Sequence, residues 1–403
     1  MRLLVISSAC MLRVNRSAYR YIHNFFNVPL HLVVPTRAEI AKSHGEIAFD
    51  VDEAFQVSQL KLSGPHARLE WASGLIPIIE SWRPTHILVE SDPATLLVLG
   101  VILSSRKIKS KVAIISLENQ FRNFPKEALV GIKNGQFKIA LGGLLAQCIL
   151  WGVRRKIDWV YGVCQDGVDV MNRLGFNGRT SKIPLGFDEN LFYPKSEQEI
   201  SIVRNQLGLN LMTIAYFGRL VPEKGIDLLL QALALIQDLE WQFLIDTFSA
   251  YKSPYEAQLK ARIDELNLQS RVVYFDSTHS EIPLYMNAAD IVVLPSISTP
   301  KFKEQYGRVI QEAMACGKIF VGSKSGAIPE LIADAGFIFQ EGDVVGLAKI
   351  LRHILTDTKN SLDVWREKAI YRAQSELSAK KQAELIRDSF LCIGKEIAKF
   401  NNE

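Results

Sequence analysis

Short apolar runs alternate with amphipathic helical patterns along the second half of the chain, from about residue 211 onward. Each run has the length of a strand buried on both faces, and the stretches between runs carry apolar residues at intervals of three and four. The predicted strands are residues 212–217, 241–245, 271–275, 291–294, 319–321 and 337–339. The predicted helices are residues 225–236, 255–266, 307–316 and 344–355. This alternation predicts an α/β domain with a parallel sheet and helices on both faces.

The first half repeats this alternation less regularly, which predicts a second α/β domain. Its predicted strands are residues 3–6, 32–34, 87–89, 112–115 and 160–163, and its predicted helices are residues 17–26, 67–80 and 94–103. At 403 residues the chain exceeds what one hydrophobic core usually organises. We expect an N-terminal domain over residues 1–190 and a C-terminal domain over 191–375, with the hinge in the Pro-, Asn- and acid-rich segment 184–201. A helix at about 376–403 is expected to pack back on the first domain.

Charge is distributed unevenly between the two halves. Residues 1–190 carry 23 Lys and Arg against 16 Asp and Glu, and the remainder carries 24 against 27. Within residues 101–160 the counts are 11 against 3, so this region is the one expected to face an anionic partner. The five cysteines are scattered and form no CxxC pair, which argues against a disulfide framework and a zinc site and favours a reducing cytoplasm.

The first candidate site is the loop Gly-Arg-Leu-Val-Pro-Glu-Lys-Gly at residues 218–225, between a predicted strand and a predicted helix. In open α/β sheets, ligands bind beyond the carboxyl ends of the strands, where the next helix presents free N–H groups. Arg219 and Lys224 add two cations beside Gly218. The loop suits a diphosphate, and the open alternative is a solvated basic loop in which Glu223 pairs locally.

The second candidate site is Glu-Gln-Tyr-Gly at residues 304–307, followed by Glu312 and Ala-Met-Ala-Cys-Gly. If a helix begins near Gly307, Glu304 lies in the preceding loop and Glu312 in the helix's second turn. Because Glu312 sits among small and apolar residues, leaving it unpaired is costly, and a ribose diol is a natural partner. Glu304 and the N–H groups of Tyr306 and Gly307 would then face the sugar. The alternative is that Glu312 pairs with a structural Arg or Lys.

The third candidate is the strand-to-helix segment Gly-Ser-Lys-Ser-Gly-Ala-Ile-Pro-Glu at residues 322–330. Its two glycines permit close backbone approach to a ligand, although an ordinary turn would look the same.

Together with Ala-Asp-Ile-Val-Val-Leu-Pro-Ser at residues 289–296, these motifs occur in an order that resembles family 4 of the retaining glycosyltransferases. The resemblance is close over residues 180–345 and loose over the first domain. It implies the GT-B fold, in which two Rossmann-like domains with parallel sheets face each other across a central cleft. It also implies transfer of a hexose from a UDP-, GDP- or ADP-sugar to a glycan or lipid-linked acceptor.

The resemblance assigns roles to individual residues. Arg219 and Lys224 would hold the donor diphosphate, Glu312 the ribose hydroxyls, and Glu304 with the backbone of Gln305 to Gly307 the transferred sugar. Front-side transfer is the usual proposal for the family. It needs no protein nucleophile and, with two cations present, no metal or other cofactor.

Three departures from the family pattern limit this assignment. The loop after the first strand contains no glycine, so the acceptor side is this chain's own. Family members often carry Gly-x-Gly where this chain has Asp-Thr-Phe-Ser at residues 246–249. Where many members place a histidine in the first domain, this chain has Glu-Asn-Gln at residues 118–120, and Asn119 is assigned to the sugar or the acceptor.

Two other signals point away from the donor site. Asp50-Val51-Asp52 is a DxD triplet, the metal signature of a different glycosyltransferase fold, but a chance occurrence is the stronger interpretation because no buried strand precedes it. The apolar run 139–153 is too short to span a bilayer. It is a core helix or, with the basic excess of residues 101–160, the site of a peripheral membrane contact at the inner face of the cytoplasmic membrane.

Other functions remain as alternatives: a nucleotide-sugar epimerase of GT-B fold, or a catalytically silent nucleotide-sugar-binding module of a polysaccharide-assembly complex. No nucleic-acid partner is expected. A nicotinamide oxidoreductase is disfavoured because no G-x-G-x-x-G follows the first strand.

Overall fold

The computed structural model describes residues 1–36, 53–64, 67–247, 254–278, 280–300 and 302–400. The chain divides into two compact units. The first comprises residues 1–186 together with the segment from Ala379 onward, and the second is Phe187–Ser378. The change between units at residues 186 and 187 falls inside the segment expected to be the hinge.

The first unit is built on a sheet of eight described strands in the order β4-β3-β2-β1-β5-β6-β7-β8, parallel except for the pair β3 and β4. The strands are β1 Leu3–Ile6, β2 Leu30–Thr36, β3 Gln56–Ser63, β4 Trp71–Ala72, β5 His86–Glu90, β6 Lys111–Ser116, β7 Trp159–Gly162 and β8 Thr180–Lys182. The helices that cover this sheet are α1 Ser17–Phe26, α2 Leu75–Trp82, α3 Leu96–Ile108, α4 Phe124–Lys133, α5 Phe137–Val153 and α6 Gln165–Met171.

The predicted helix over residues 67–80 is wrong in its first half, where a single turn and the short strand β4 precede α2. The strands β3 and β8 were not predicted. Their residues are exposed or only partly buried, so polar side chains interrupt the apolar run that a buried strand would show.

The second unit contains a six-stranded parallel sheet among its described residues, in the order β11-β10-β9-β12-β13-β14. The strands are β9 Thr213–Tyr216, β10 Gln242–Asp246, β11 Val272–Phe275, β12 Ile291–Leu294, β13 Ile319–Ser323 and β14 Phe337–Phe339. The helices are α7 Glu197–Leu207, α8 Ile226–Ala234, α9 Tyr255–Glu265, α10 Ile282–Ala288, α11 Arg308–Ala315, α12 Ile328–Ile332, α13 Val344–Thr356 and α14 Lys359–Glu376. The central strands and the inner faces of the helices form its core, where Ile214, Val292, Phe320 and Leu229 are fully buried.

The final helix, α15 Ala379–Phe400, belongs to the first unit. The Phe390 ring lies 4.9 Å from the His86 ring, and the Arg387 guanidinium lies 4.2 Å from the Phe26 ring. Gln382 accepts a hydrogen bond from the backbone N–H of Gly186 at 2.9 Å. These contacts attach the last described helix to β5 and α1.

Candidate functional site

The candidate donor site lies where the strand order of the second sheet changes direction. From β9 the chain proceeds through β10 to β11 on one side, whereas β12, β13 and β14 follow on the other side. The loops after β9 and β12 therefore leave neighbouring strands at the same edge and diverge. This switch point is where open α/β sheets bind their ligands.

An ion pair joins these two loops. The Lys224 ammonium donates to Oε2 of Glu304 at 2.6 Å, and the Ser296 hydroxyl donates to the same oxygen at 2.8 Å. Glu304 is only 6% exposed, and the Lys224 side chain is mostly buried. Lys224 is therefore not part of a solvated loop, and the cation predicted for the diphosphate touches the carboxylate predicted for the sugar.

Two glycines let the loops approach each other more closely than any other residue would permit. A Cβ at Gly225 would lie 2.0 Å from the carbonyl oxygen of Pro295, and a Cβ at Gly326 would lie 1.9 Å from that of Glu304. Both glycines have positive φ, at 69° and 52°. The weak third motif is thus a direct support of Glu304, since Ala327 also donates its N–H to the Glu304 carbonyl at 3.1 Å.

A hydrogen-bonded serine continues the support toward β14. Ser298 donates from its backbone N–H and from its hydroxyl to the two carboxylate oxygens of Glu341, at 2.7 and 2.9 Å. Its hydroxyl also lies 2.9 Å from the hydroxyl of Ser325. Sequence reasoning missed Glu341, although its position two residues after β14, at the same edge of the sheet, was an available signal.

The Gly218 turn presents Arg219 at the surface. Gly218 has a φ of 143°, and the Tyr216 hydroxyl donates to the carbonyl oxygen of Arg219 at 2.9 Å. Burial and the nearby Glu304 charge raise the pKa of Tyr216 well above its usual value, so this hydroxyl remains a donor. The Arg219 side chain is exposed, at the same end of the sheet as Lys224.

Glu312 lies in the second turn of α11, as predicted. No described side chain forms an ion pair or hydrogen bond with its carboxylate, so the predicted alternative of a structural Arg or Lys partner is not observed. Burial raises its pKa to about 7, while Arg308, one turn earlier, acts in the opposite direction. A partly buried carboxyl that receives no hydrogen bond from the described part of the chain is a suitable group for ligand hydroxyls.

The residues between Glu304 and α11 divide into side chains that face solvent and side chains that face the core. Gln305 is exposed, whereas Tyr306 is buried and its hydroxyl donates to Oε1 of Gln311 at 2.9 Å. Gly307 has a φ of 72° and precedes the first residue of α11. The N–H groups of Gln305 and Gly307 donate to no other described residue, which leaves them available to a ligand.

Asn119 belongs to the first unit, where it is buried after β6. Its neighbour Glu118 lies 3.9 Å from Arg68, and burial together with the Asp92 charge raises the pKa of Glu118. Sequence reasoning missed Arg68 and Asp92, which belong to no motif.

The described residues give no support for a bound metal ion. No group of three His, Cys, Asp or Glu residues in the described ranges could hold a metal ion. The DxD triplet at Asp50 and Asp52 lies outside the described residues, as do Phe248 and Ser249 of the turn after β10. Metal independence stays a prediction based on the cations at Arg219 and Lys224.

Comparison with known proteins gives a family match over most of the second unit. Residues 198–372 match the family model described as Glycosyl transferases group 1. The second unit matches a group 1 glycosyltransferase domain. A D-inositol 3-phosphate glycosyltransferase of Corynebacterium glutamicum is 29% identical over 163 residues, which cover 39% of this chain and 38% of the relative. The GDP-mannose-dependent monoacylated alpha-(1-6)-phosphatidylinositol monomannoside mannosyltransferase of the same species is 30% identical over 43% of this chain and 46% of the relative.

The chain thus covers less than half the length of these curated relatives. Solved structures extend the likeness to both units. Anabaena HepE in complex with UDP has a TM-score of 0.71 at 20% identity, over 97% of this chain and 100% of that chain. A glycosyltransferase from Rickettsia africae has a TM-score of 0.74 at 15% identity, over 98% of both chains. At these identities the likeness shows the fold, which is the predicted GT-B fold, and the group 1 match supports a transferase enzyme.

Proposed function

We propose that this protein is a retaining glycosyltransferase of the family 4 type, which moves a hexose-type sugar from a nucleotide-diphosphate sugar to a glycan or lipid-linked acceptor. The observation that carries the proposal is the contact of Lys224 with Glu304 at the switch point of the second sheet, 2.6 Å between Nζ and Oε2. It brings a cation for a diphosphate and a carboxylate for sugar hydroxyls within one sugar's reach of each other. HepE, a structural neighbour, has been solved in complex with UDP-glucose.

The proposed division of labour follows the positions of the side chains. Lys224 and Arg219 bind the diphosphate and stabilise the negative charge that grows on it as the glycosidic bond breaks. The Glu304 carboxylate accepts hydrogen bonds from sugar hydroxyls, and the available N–H groups of Gln305 and Gly307 donate hydrogen bonds to sugar oxygens. Glu312, which forms no hydrogen bond or ion pair with another described residue, binds the ribose hydroxyls. Because two cations stand at the leaving group, we expect transfer to proceed without a metal.

The acceptor side of the proposal rests on the first unit. Its net positive charge suits an anionic acceptor, and the two curated relatives named above carry inositol phosphate or phosphatidylinositol in their names. Asn119 is the residue of this unit that we assign to the sugar or the acceptor. We also propose a cytoplasmic location with peripheral contact to the inner face of the membrane through residues 101–160.

The test is donor turnover by purified variants. Glu304→Gln and Lys224→Ala should each lower release of the nucleotide from its cognate nucleotide-sugar by about 100-fold or more, because each removes a charge that acts at the reacting centre. Lys260→Ala is the matched control, since Lys260 forms an exposed ion pair with Glu256 at 2.8 Å on α9. Near-normal turnover by both site variants would refute the assignment.

Two further measurements separate the parts of the proposal. A thermal-shift panel of UDP, GDP, ADP and their sugars identifies the donor, because a ligand that binds only the folded state raises the melting temperature. Nuclear magnetic resonance of the first-formed product reports the anomeric configuration, and an inverted centre would refute the retaining mechanism while leaving transfer intact. Conversion of the donor to its epimer without any acceptor would instead support the epimerase alternative.

A further inference from the structure

Helix α5 carries an exposed stripe of large apolar side chains. Positions 137, 141, 144, 148 and 151 recur at four and three residues, so they fall on one face of a helix with 3.6 residues per turn. Phe137 is 74% exposed, Trp151 73% and Leu141 59%, and Leu144 and Cys148 are exposed as well. A surface helix of a soluble domain places polar residues on such a face.

The opposite face of α5 packs on α4 through small residues. A Cβ at Gly143 would lie 2.8 Å from the carbonyl oxygen of Phe124, and a Cβ at Gly131 would lie 2.6 Å from the backbone nitrogen of Ala140. The two helices therefore touch backbone to backbone, with Ala140 and Ala146 also buried between elements. The buried face of α5 also holds Ile149, Leu150 and Val153, so this helix is apolar on both its buried and its exposed face, unlike an ordinary amphipathic helix.

Helix α4, which packs against α5, exposes large apolar side chains of its own. Leu129, Val130 and Ile132 are all exposed near its end, just before the turn into α5. Exposed apolar patches larger than a few hundred Å² are uncommon on monomeric proteins and mark interaction sites. We refer to residues 124–153, helices α4 and α5 with their turn, as the apolar hairpin.

The charges on and beside the apolar hairpin identify its partner. Residues 124–156 contain six Lys and Arg and one acidic residue, Glu127. Glu127 accepts two hydrogen bonds from Arg122, at 2.8 and 2.7 Å, so its charge is neutralised locally. Lys126 and Lys133 on α4 and Lys138 on α5 are exposed. An apolar face edged with cations complements a bilayer of anionic lipids, whose acyl chains receive the rings and whose phosphates receive the ammonium groups.

We propose that the apolar hairpin is an interfacial anchor that inserts the face bearing Phe137, Leu141 and Trp151 into the headgroup region of an anionic bilayer. At 17 residues, α5 is about 25 Å long, shorter than the hydrocarbon core of a bilayer. Within the described residues, no helix combines the length and the apolar character needed to cross a membrane. The inference rests on the membrane contact in the proposed function and names the element that makes it.

The experiment is co-sedimentation of the full chain with vesicles. The wild-type chain should sediment with vesicles of phosphatidylcholine mixed with phosphatidylglycerol, and about 10-fold less with phosphatidylcholine alone, because several cations near the surface each contribute to binding. The double variant Phe137→Ser with Trp151→Ser should lose sedimentation with both. Tyr371→Ser is the matched control, since Tyr371 on α14 is also 74% exposed and lies in the other unit.

A charge variant tests the second half of the inference. The double variant Lys133→Glu with Lys138→Glu should no longer prefer vesicles with phosphatidylglycerol at low salt. Added salt should likewise weaken the binding of the wild-type chain to these vesicles. Equal recovery of the wild-type chain in the supernatant with both vesicle types would overturn the inference. Vesicle binding that the Phe137 and Trp151 substitutions leave unchanged would also overturn it.

Two controls distinguish a membrane anchor from a dimer interface and separate this inference from the proposed donor site. Light scattering that shows a dimer without vesicles, converted to a monomer by Phe137→Ser with Trp151→Ser, would overturn the inference and make the hairpin an interface between two copies. The nucleotide thermal-shift panel, run on the same preparations, separates the two proposals. Nucleotide binding without vesicle binding would refute only the membrane anchor. Vesicle binding without nucleotide binding would refute only the donor site.

Discussion

Lys224 and Glu304 stand 80 positions apart in the chain, yet Nζ of the first lies 2.6 Å from Oε2 of the second. Each side chain is largely buried, so each charge depends on the other for compensation. The ion pair therefore stabilises the fold as well as forming the candidate site, and it fixes the positions of the loops after β9 and β12 relative to each other.

This dependence gives the first prediction. Glu304→Gln should lower the free energy of unfolding by about 3–5 kcal/mol, because it leaves the Lys224 ammonium without a counter-charge. Urea denaturation measures the change. The double variant Lys224→Met with Glu304→Gln should recover part of the loss, and additive losses in the double variant would show that the two side chains do not interact.

The second prediction concerns Glu341, which holds the loop before Glu304. Glu341→Ala should raise the KM for the nucleotide-sugar more than it lowers kcat, because Ser298 loses the two Glu341 oxygens that accept its hydrogen bonds and the loop loses its fixed position. Leaving the Ser298 backbone N–H without its acceptor should also cost about 1–3 kcal/mol of stability. Glu341→Gln should restore part of the KM, and Glu367→Ala, at an exposed glutamate of α14, is the control. A fall in kcat alone would contradict a positioning role.

The third prediction separates backbone strain from close packing. Gly326→Ala places a Cβ 1.9 Å from the carbonyl oxygen of Glu304, whereas Gly208→Ala meets nothing within 4 Å at a similar positive φ. Both variants should lose about 1 kcal/mol from the left-handed conformation. Gly326→Ala should lose further stability and, with it, nucleotide binding in the thermal-shift panel. Equal stability losses would show that the Gly326 backbone can move away from Glu304.

The fourth prediction concerns the pH dependence of Glu312. Its pKa is raised from 4.5 to about 7 in the folded chain, so between these values the folded state holds a proton that the unfolded state has released. The contribution of Glu312 to stability is therefore fully present below pH 4.5 and is lost as the pH rises to about 7, with a slope of at most about 1.4 kcal/mol per pH unit.

Glu312→Gln removes this titration. The difference in unfolding free energy between the wild type and Glu312→Gln, measured by urea denaturation at several pH values, should decline between pH 4.5 and 7 and be flat above. A difference that does not change with pH would place the pKa of Glu312 near its ordinary value. Lys318, whose pKa burial lowers to about 8, is present in both proteins and cancels in the difference.

The sequence predicted the second unit better than the first. Its central strands β9, β10, β12 and β13 are buried almost throughout, so they appear as nearly uninterrupted apolar runs. The strands β12 and β14 were predicted at their observed bounds, although β14 is only partly buried. The strand β3 alternates partly buried and exposed residues near the sheet edge, which leaves no such run. The periodicity of apolar residues indicates burial, so it gives only a weak signal for an element that is partly exposed to solvent.

The candidate site divides in the same way. The positions of Glu304, Lys224 and Glu312 follow from motifs set at strand ends and helix starts, which are local features. The contact of Lys224 with Glu304 joins residues 80 positions apart, and the contact of Ser298 with Glu341 joins residues 43 positions apart. No local pattern encodes such distances. The exposure of Phe137 and Trp151 could not be predicted from the sequence either, because an apolar helix shows the same pattern whether it is buried or exposed.

The position of α15 has a consequence for the order in which the protein is made. The second unit, Phe187–Ser378, is one continuous stretch, whereas the first unit needs α15 against β5 and α1. Because domains generally fold as their chain emerges from the ribosome, the second unit has all its residues before the first unit does. We therefore expect the first unit to complete its folding after the second unit, although its synthesis begins earlier.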